Sequence, residues 1–247
     1  MSPQHWYLPP ERLTLDRNDE VHVWRSLLDL PGEYVDRLAE ILADDERARA
    51  DRFHFDKDRA HFIVAHGVLR SILSRYLIDR APRELRFTSN AYGKPALDRA
   101  TANLDLFFSL SHSRDLALVA VTRGREIGID VEYVRPDLVE ERLAERVFSP
   151  NELAALRQLS VSSQVEAFFA GWTRKEAYVK GRGEGLSLPL RRFEVLAPVA
   201  STACVRLSGA GLDQWSLRQI CPGEGYAAAV AVAGTIGRLS FWQWPVL

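Results

Sequence analysis

Apolar and polar positions alternate along "IGIDVEYVRP", residues 127 to 136. Strand side chains repeat with period two, so Ile127, Ile129, Val131 and Tyr133 share one face and Gly128, Asp130 and Glu132 the other. Similar β-like runs are "VHVWRSLL" near the N-terminus, "LDLFFSLSHS" and "LALVAVT" joined at "HSRD", and the C-terminal "RRFEVLAP", "VRLSG", "WSLRQI", "YAAAVAVAG" and "LSFWQW". "RFTSNAYGKPAL" reads as strand, turn and strand, with Gly93 and Pro95 as punctuation. Helical periodicity marks "YVDRLAEILADDERARADRF", "VEERLAERVF" and "QVEAFFAGWTRKEAYVKG". It is clearest in "DKDRAHFIVAHGVLRSILSRYL", where Phe62, Ala65, Leu69, Ile72 or Leu73, and Tyr76 form one stripe. Ser149 and Glu152 in "SPNE" fit a capping box. Helices and antiparallel-type strands segregate into two comparable stretches, which predicts an α+β fold with a boundary near residue 126, dividing 1–126 from 127–247.

The 247 residues, 47% of them hydrophobic and 26% charged, suffice for one sizeable core or two modest ones. With 32 basic and 33 acidic residues, no overall field draws nucleic acid or an anionic membrane, so an anion site must be local. Cys204 and Cys221 lack metal-type spacing and fit either free thiols in a reduced compartment or a single disulfide between them. No segment reads as a signal peptide or membrane span, and a cytoplasmic monomer is expected.

The chemistry begins with Asp130 and Glu132, about 7 Å apart on one strand face. A lone pair of this kind reads first as a solvated edge strand, but carboxylates so placed also suit a hard divalent cation. Glu176 bears on that choice, because it falls on the apolar stripe of Val165, Phe168, Phe169, Trp172 and Val179 and carries a third carboxylate toward a buried face. An exposed Glu176–Lys180 pair would contribute only about 0.2–0.5 kcal/mol. Gly181, Gly183 and Gly185 then permit tight turns and close backbone approach. Lys175, Lys180, Lys94 and His112 are candidate cations for a phosphorylated ligand. The arginines at 142, 146 and 157 read as a solvated helix face rather than a dock for an acidic protein.

Taken in order, "YGKPAL", "FFSLSHS", "IGIDVE", "FSPNE" and "WTRKEAYVKGRGEGL" resemble the Sfp-type 4'-phosphopantetheinyl transferases over roughly residues 45 to 195. The resemblance implies two similar α+β halves related by a pseudo-twofold, with coenzyme A in the cleft between them. It implies Mg²⁺-dependent transfer of phosphopantetheine from coenzyme A to a serine of an apo carrier protein, releasing 3',5'-ADP. By the same resemblance Asp130, Glu132 and Glu176 hold the metal, with Glu176 also a candidate base, and Lys180 contacts the coenzyme A phosphates. Lys94 and Pro95 lie along the adenine nucleotide, Ser111 and His112 on the 3'-phosphate side. Arg52 is the preferred basic residue ahead of the long N-terminal helix, over Glu46 and Arg49. A non-catalytic coenzyme A or nucleotide-binding protein leaves the three acids unexplained, and a Mg²⁺-dependent phosphohydrolase leaves the "GKP" and "SH" elements unexplained.

Overall fold

The computed structural model describes residues 4–11, 13–15, 19–77, 80–98, 105–138, 141–195, 205–206 and 215–244. The first half runs β1 (Glu20–Leu27), α1 (Gly32–Glu40), α2 (Asp44–Ala50), α3 (Asp56–Ser74), β2 (Phe87–Ser89), β3 (Pro95–Leu97), β4 (Leu106–Ser113) and β5 (Leu116–Arg123). The second runs β6 (Ile127–Tyr133), α4 (Glu141–Val147), α5 (Pro150–Arg157), α6 (Val161–Arg182), β7 (Val205–Arg206), β8 (Trp215–Ile220), β9 (Tyr226–Ala233) and β10 (Arg238–Gln243).

Each half repeats one topology: a strand, a long helix, then two antiparallel strands of which the last lies beside the first. In one sheet the order is β10-β1-β5-β4 and in the other β6-β9-β8-β7, so β1, α3, β4 and β5 correspond to β6, α6, β8 and β9. The last strand crosses back, because β10 pairs in parallel with β1, Trp242 opposite Trp24.

Alternation along the strands sets the layers. In β5, Leu116, Leu118 and Ala120 meet Ile127, Ile129 and Val131 of β6 and Ala228, Val230 and Val232 of β9 in the core between the sheets. The opposite face of β5, Ala117, Val119 and Val121, meets Val64, Val68, Leu69 and Ile72 of α3. Ala229 and Ala231 of β9 likewise meet Ala177 and Tyr178 of α6. The order is helix, sheet, sheet, helix, and the two central strands are apolar on both faces because both are covered.

Two predicted elements differ. "YVDRLAEILADDERARADRF" divides into α1 and α2, because Ala43 is extended and its N–H donates to the Glu46 carboxylate at 3.0 Å, which starts a new helix. "RRFEVLAP" does not form a strand over its described part: Leu190–Arg192 is a 3₁₀ turn, and Phe193 and Val195 insert into the core. Its last residues and most of "VRLSG" lie outside the described residues, as does Cys204.

Candidate active site

Between the halves, edge strand β4 meets edge strand β6 without a backbone ladder. Period-two serines on β4 stand in for it: Ser109, Ser111 and Ser113 accept hydrogen bonds from the N–H groups of Ile129, Val131 and Tyr133 at 3.1, 3.3 and 3.1 Å. The unpaired edge of β6 is thereby satisfied. On the face that Gly128 shares with Asp130 and Glu132, a missing side chain admits α6. A Cβ on Gly128 would lie 2.0 Å from the Ala177 carbonyl oxygen and 2.3 Å from the Gly181 nitrogen. This backbone contact carries Glu176 and Lys180 to the face that bears Asp130 and Glu132.

Asp130 is only 3% exposed. Its Oδ1 accepts from Lys180 Nζ at 2.6 Å and from the Ser111 hydroxyl at 3.0 Å, while Lys180 also donates to Ser111 Oγ at 2.9 Å. Ser113 donates to Glu132 at 2.9 Å. Two of the three serines that join the halves therefore also orient the two strand carboxylates, and the pair is no solvated edge. Lys180 spends its charge on Asp130, five decades of residues away, rather than on Glu176.

Burial pushes the Asp130 carboxyl above its usual range against the pull of Lys180 and Ser111. Glu132 is raised by burial and then by Asp130, and Glu176 by burial, by Asp130 and by Glu132. Buried acids of which Asp130 raises both glutamates and Glu132 raises Glu176 call for a cation. Asp130 Oδ2 is buried without a hydrogen-bond partner among the described residues, and no hydrogen bond there engages the Glu176 carboxylate. This all-oxygen donor set suits Mg²⁺. Among the described residues no three such side chains stand as a finished ligand group, and the Lys180 ammonium lies on Asp130.

Two cavities flank this junction. The smaller, of about 320 Å³, is lined by Lys94 and Pro95 of the β2–β3 hairpin together with Glu176 and Lys180. The hairpin is fastened to the end of α6: Asn90 Nδ2 donates to the Gly183 carbonyl at 2.7 Å, and Lys94 Nζ donates to the Gly181 carbonyl at 2.6 Å and to Glu126. Gly183, at φ 67°, ends the helix in the left-handed conformation. The larger cavity, of about 950 Å³, carries Arg49, Lys57, His61, His66, His112 and Arg114 on its walls. Burial and the positive charges of His66, Lys180 and His61 hold His112 below the ordinary histidine range.

The 4'-phosphopantetheinyl transferase superfamily model matches residues 126–231, and a model described as 4'-phosphopantetheinyl transferase, N-terminal, matches residues 32–123. The chain is 43% identical over 242 residues to the 4'-phosphopantetheinyl transferase HetI of Nostoc sp., covering 98% of this chain and 99% of that one. The chain belongs to the 4'-phosphopantetheinyl transferases. It is 32% identical over 167 residues to the transferase Sfp of Bacillus subtilis, covering 67% of this chain and 71% of Sfp. It is 38% identical over 120 residues to AcpT of Salmonella typhimurium, covering 47% of this chain and 61% of AcpT.

In this transferase Asp130, Glu132, Glu176, Lys180 and Ser111 converge at one junction, with Lys94 and Pro95 on the adjoining wall and His112 across it in the larger cavity. Two cations stand elsewhere than expected. Lys175 is fully buried, 2.7 Å from Glu152, with further bonds to the carbonyls of Leu190 and Phe193 at 2.7 and 2.5 Å. It fastens the segment after α6 and is no phosphate contact. Arg52 bonds the Ala48 carbonyl at 3.2 Å, and the cavity wall carries Arg49 instead. Glu46 is buried against Arg70 at 2.6 Å. Sequence reasoning also missed the serine ladder, whose signal is the spacing of Ser109, Ser111 and Ser113.

Proposed function

We propose that this transferase moves 4'-phosphopantetheine from coenzyme A to the serine hydroxyl of an apo carrier protein, releasing 3',5'-ADP, with Mg²⁺ held by Asp130, Glu132 and Glu176. The observation that carries the reading is the meeting of three mutually repelling carboxylates with Lys180, between a basic cavity and a less polar one. When bound, the divalent ion supplies charge withdrawal from the pyrophosphate.

The chain's own groups do the rest. Lys180, fixed by Asp130 and Ser111, sets a positive charge beside the pyrophosphate, where negative charge grows as 3',5'-ADP departs. His112 and the basic wall take the 3'-phosphate. The hairpin from Tyr92 to Pro95 bounds the nucleotide and is held rigid on the end of α6 through Asn90 and Lys94. Lys94 acts in this reading through that fastening. Glu176 accepts the proton of the attacking serine hydroxyl. No hydrogen bond among the described residues competes for it.

The test is mass spectrometry of an apo carrier protein incubated with the enzyme, coenzyme A and Mg²⁺. The proposal expects the carrier serine to gain the mass of phosphopantetheine, with 3',5'-ADP formed in equal amount. Coenzyme A binding without carrier modification, or phosphate release without carrier, would refute it.

A further inference from the structure

One side chain, Asn90, both closes the turn of the β2–β3 hairpin and ties it to the end of α6. Its Oδ1 accepts from the backbone N–H groups of Tyr92 and Lys94, both at 2.9 Å, while its Nδ2 donates to the Gly183 carbonyl at 2.7 Å. The backbone closes the same turn: the Asn90 N–H donates to the Lys94 carbonyl and the Gly93 N–H to the Asn90 carbonyl, each at 3.0 Å. An acceptor on one side and a donor on the other are what a side-chain amide supplies. A carboxylate here would set an oxygen against the Gly183 oxygen.

The glycines at 181, 183 and 185 are the other half of this fastening. The Gly181 carbonyl accepts from Lys94 Nζ at 2.6 Å, the Gly183 carbonyl accepts from Asn90, and a Cβ added to Gly185 would lie 3.8 Å from the Tyr92 Cβ and carbonyl oxygen. Gly183 and Gly185, at φ 67° and 57°, carry the chain along the hairpin in the left-handed conformation. Gly183 leaves no room for a side chain: a Cβ there would lie 2.8 Å from Asn90 Nδ2 and 2.8 Å from Lys94 Cδ. Hairpin tip and glycine run both line the smaller cavity, beside Glu176 and Lys180. The base of the hairpin packs on the core through Phe87 and Leu97, but a ladder of three residues a side does little to place its tip. The ties to the glycines do that.

We propose that Asn90 is a positioning residue, which seats the hairpin tip on the glycine run and thereby sets the affinity for coenzyme A without taking part in the chemistry. This rests on reading the hairpin as a boundary of the coenzyme A site. The experiment is steady-state carrier modification by wild type, Asn90→Ser, Gly183→Ala and the double variant, varying coenzyme A and carrier in turn, beside thermal unfolding of each protein. Serine still caps the turn but is too short to reach the Gly183 carbonyl, and Gly183→Ala presses on the same contact from the other side without changing charge. Each single variant is expected to raise the KM for coenzyme A about 10-fold, the lower range for a carbonyl left without its donor, with kcat and the carrier KM within about twofold of wild type. Both changes break one contact, so the double variant should stay near the larger single effect rather than reach the product of the two. An unchanged coenzyme A KM in both single variants would overturn the role of Asn90 and leave the reading of the site standing. A fall in kcat at constant KM, or a parallel loss of kcat, both KM values and melting temperature, would overturn it in favour of plain support for α6 or for the fold. If Asn90→Ser does not fold, Gly183→Ala decides by the same split between KM and kcat. A wild-type protein whose rate does not saturate with coenzyme A would overturn the site reading and the proposal together.

Discussion

Gly128→Ala tests whether the contact between β6 and α6 sets the reacting geometry. The added Cβ would lie 2.0 Å from the Ala177 carbonyl oxygen, 2.3 Å from the Gly181 nitrogen and 2.8 Å from the Gly181 Cα, all backbone atoms. A tolerable carbon–oxygen contact is about 3.3 Å, so the helix must retreat by roughly 1.3 Å. Overpacking of this kind costs about 1–3 kcal/mol. The retreat also draws Glu176 and Lys180 away from Asp130, and a 1 Å misplacement of reacting groups lowers rates about 10²-fold. Urea unfolding and the initial rate of carrier modification measure the two effects. Gly32→Ala is the control, because a Cβ there meets nothing within 4 Å. A Gly128→Ala protein with wild-type rate and unfolding midpoint would refute the reasoning.

Lys175→Met should cost about 3–5 kcal/mol in urea unfolding by leaving Glu152 buried without its cation, while kcat/KM of the folded fraction stays near wild type. His112 is held below its unfolded value of about 6.5. The unfolded chain therefore binds more protons in that window, and stability falls as pH drops from about 6.5 through the folded value. His112→Asn should flatten that part of the profile when the two proteins are unfolded in urea from about pH 7.5 downward. For Glu176→Gln, excess Mn²⁺ should restore metal occupancy without restoring the single-turnover rate, because the serine proton still lacks its acceptor. Full recovery of the rate would remove Glu176 as the base.

Local patterns carried much of this structure. The alternation at Ile127 to Glu132 put the strand acids on one face, and the stripe ending at Glu176 pointed a third toward them. The apolar positions of α3 lie in the core as their spacing requires. Lys175 was misassigned although the sequence held the correction. Five helical positions separate it from Lys180 by about 140° around the axis, so the two cannot serve one site. Arg49 and Arg52 were harder to choose between, since the answer depends on α2 ending at Ala50 and on Phe62 of α3 standing beneath Arg49. The return of β10 to β1 joins positions more than 200 residues apart, Glu20 with Arg238, and no local pattern carries such a pairing. The serines of β4 looked like an ordinary half-polar strand. Their role in joining the halves and orienting Asp130 and Glu132 depends on β6 lying alongside.

The most direct test of the acid site is cation uptake measured apart from turnover. Mn²⁺ titrated into the protein with coenzyme A, and followed by electron paramagnetic resonance, should bind to wild type and be lost or much weakened in Asp130→Ala, while coenzyme A still binds through the basic cavity. Wild-type Mn²⁺ uptake by a folded Asp130→Ala protein would contradict the assignment of these carboxylates as the metal site.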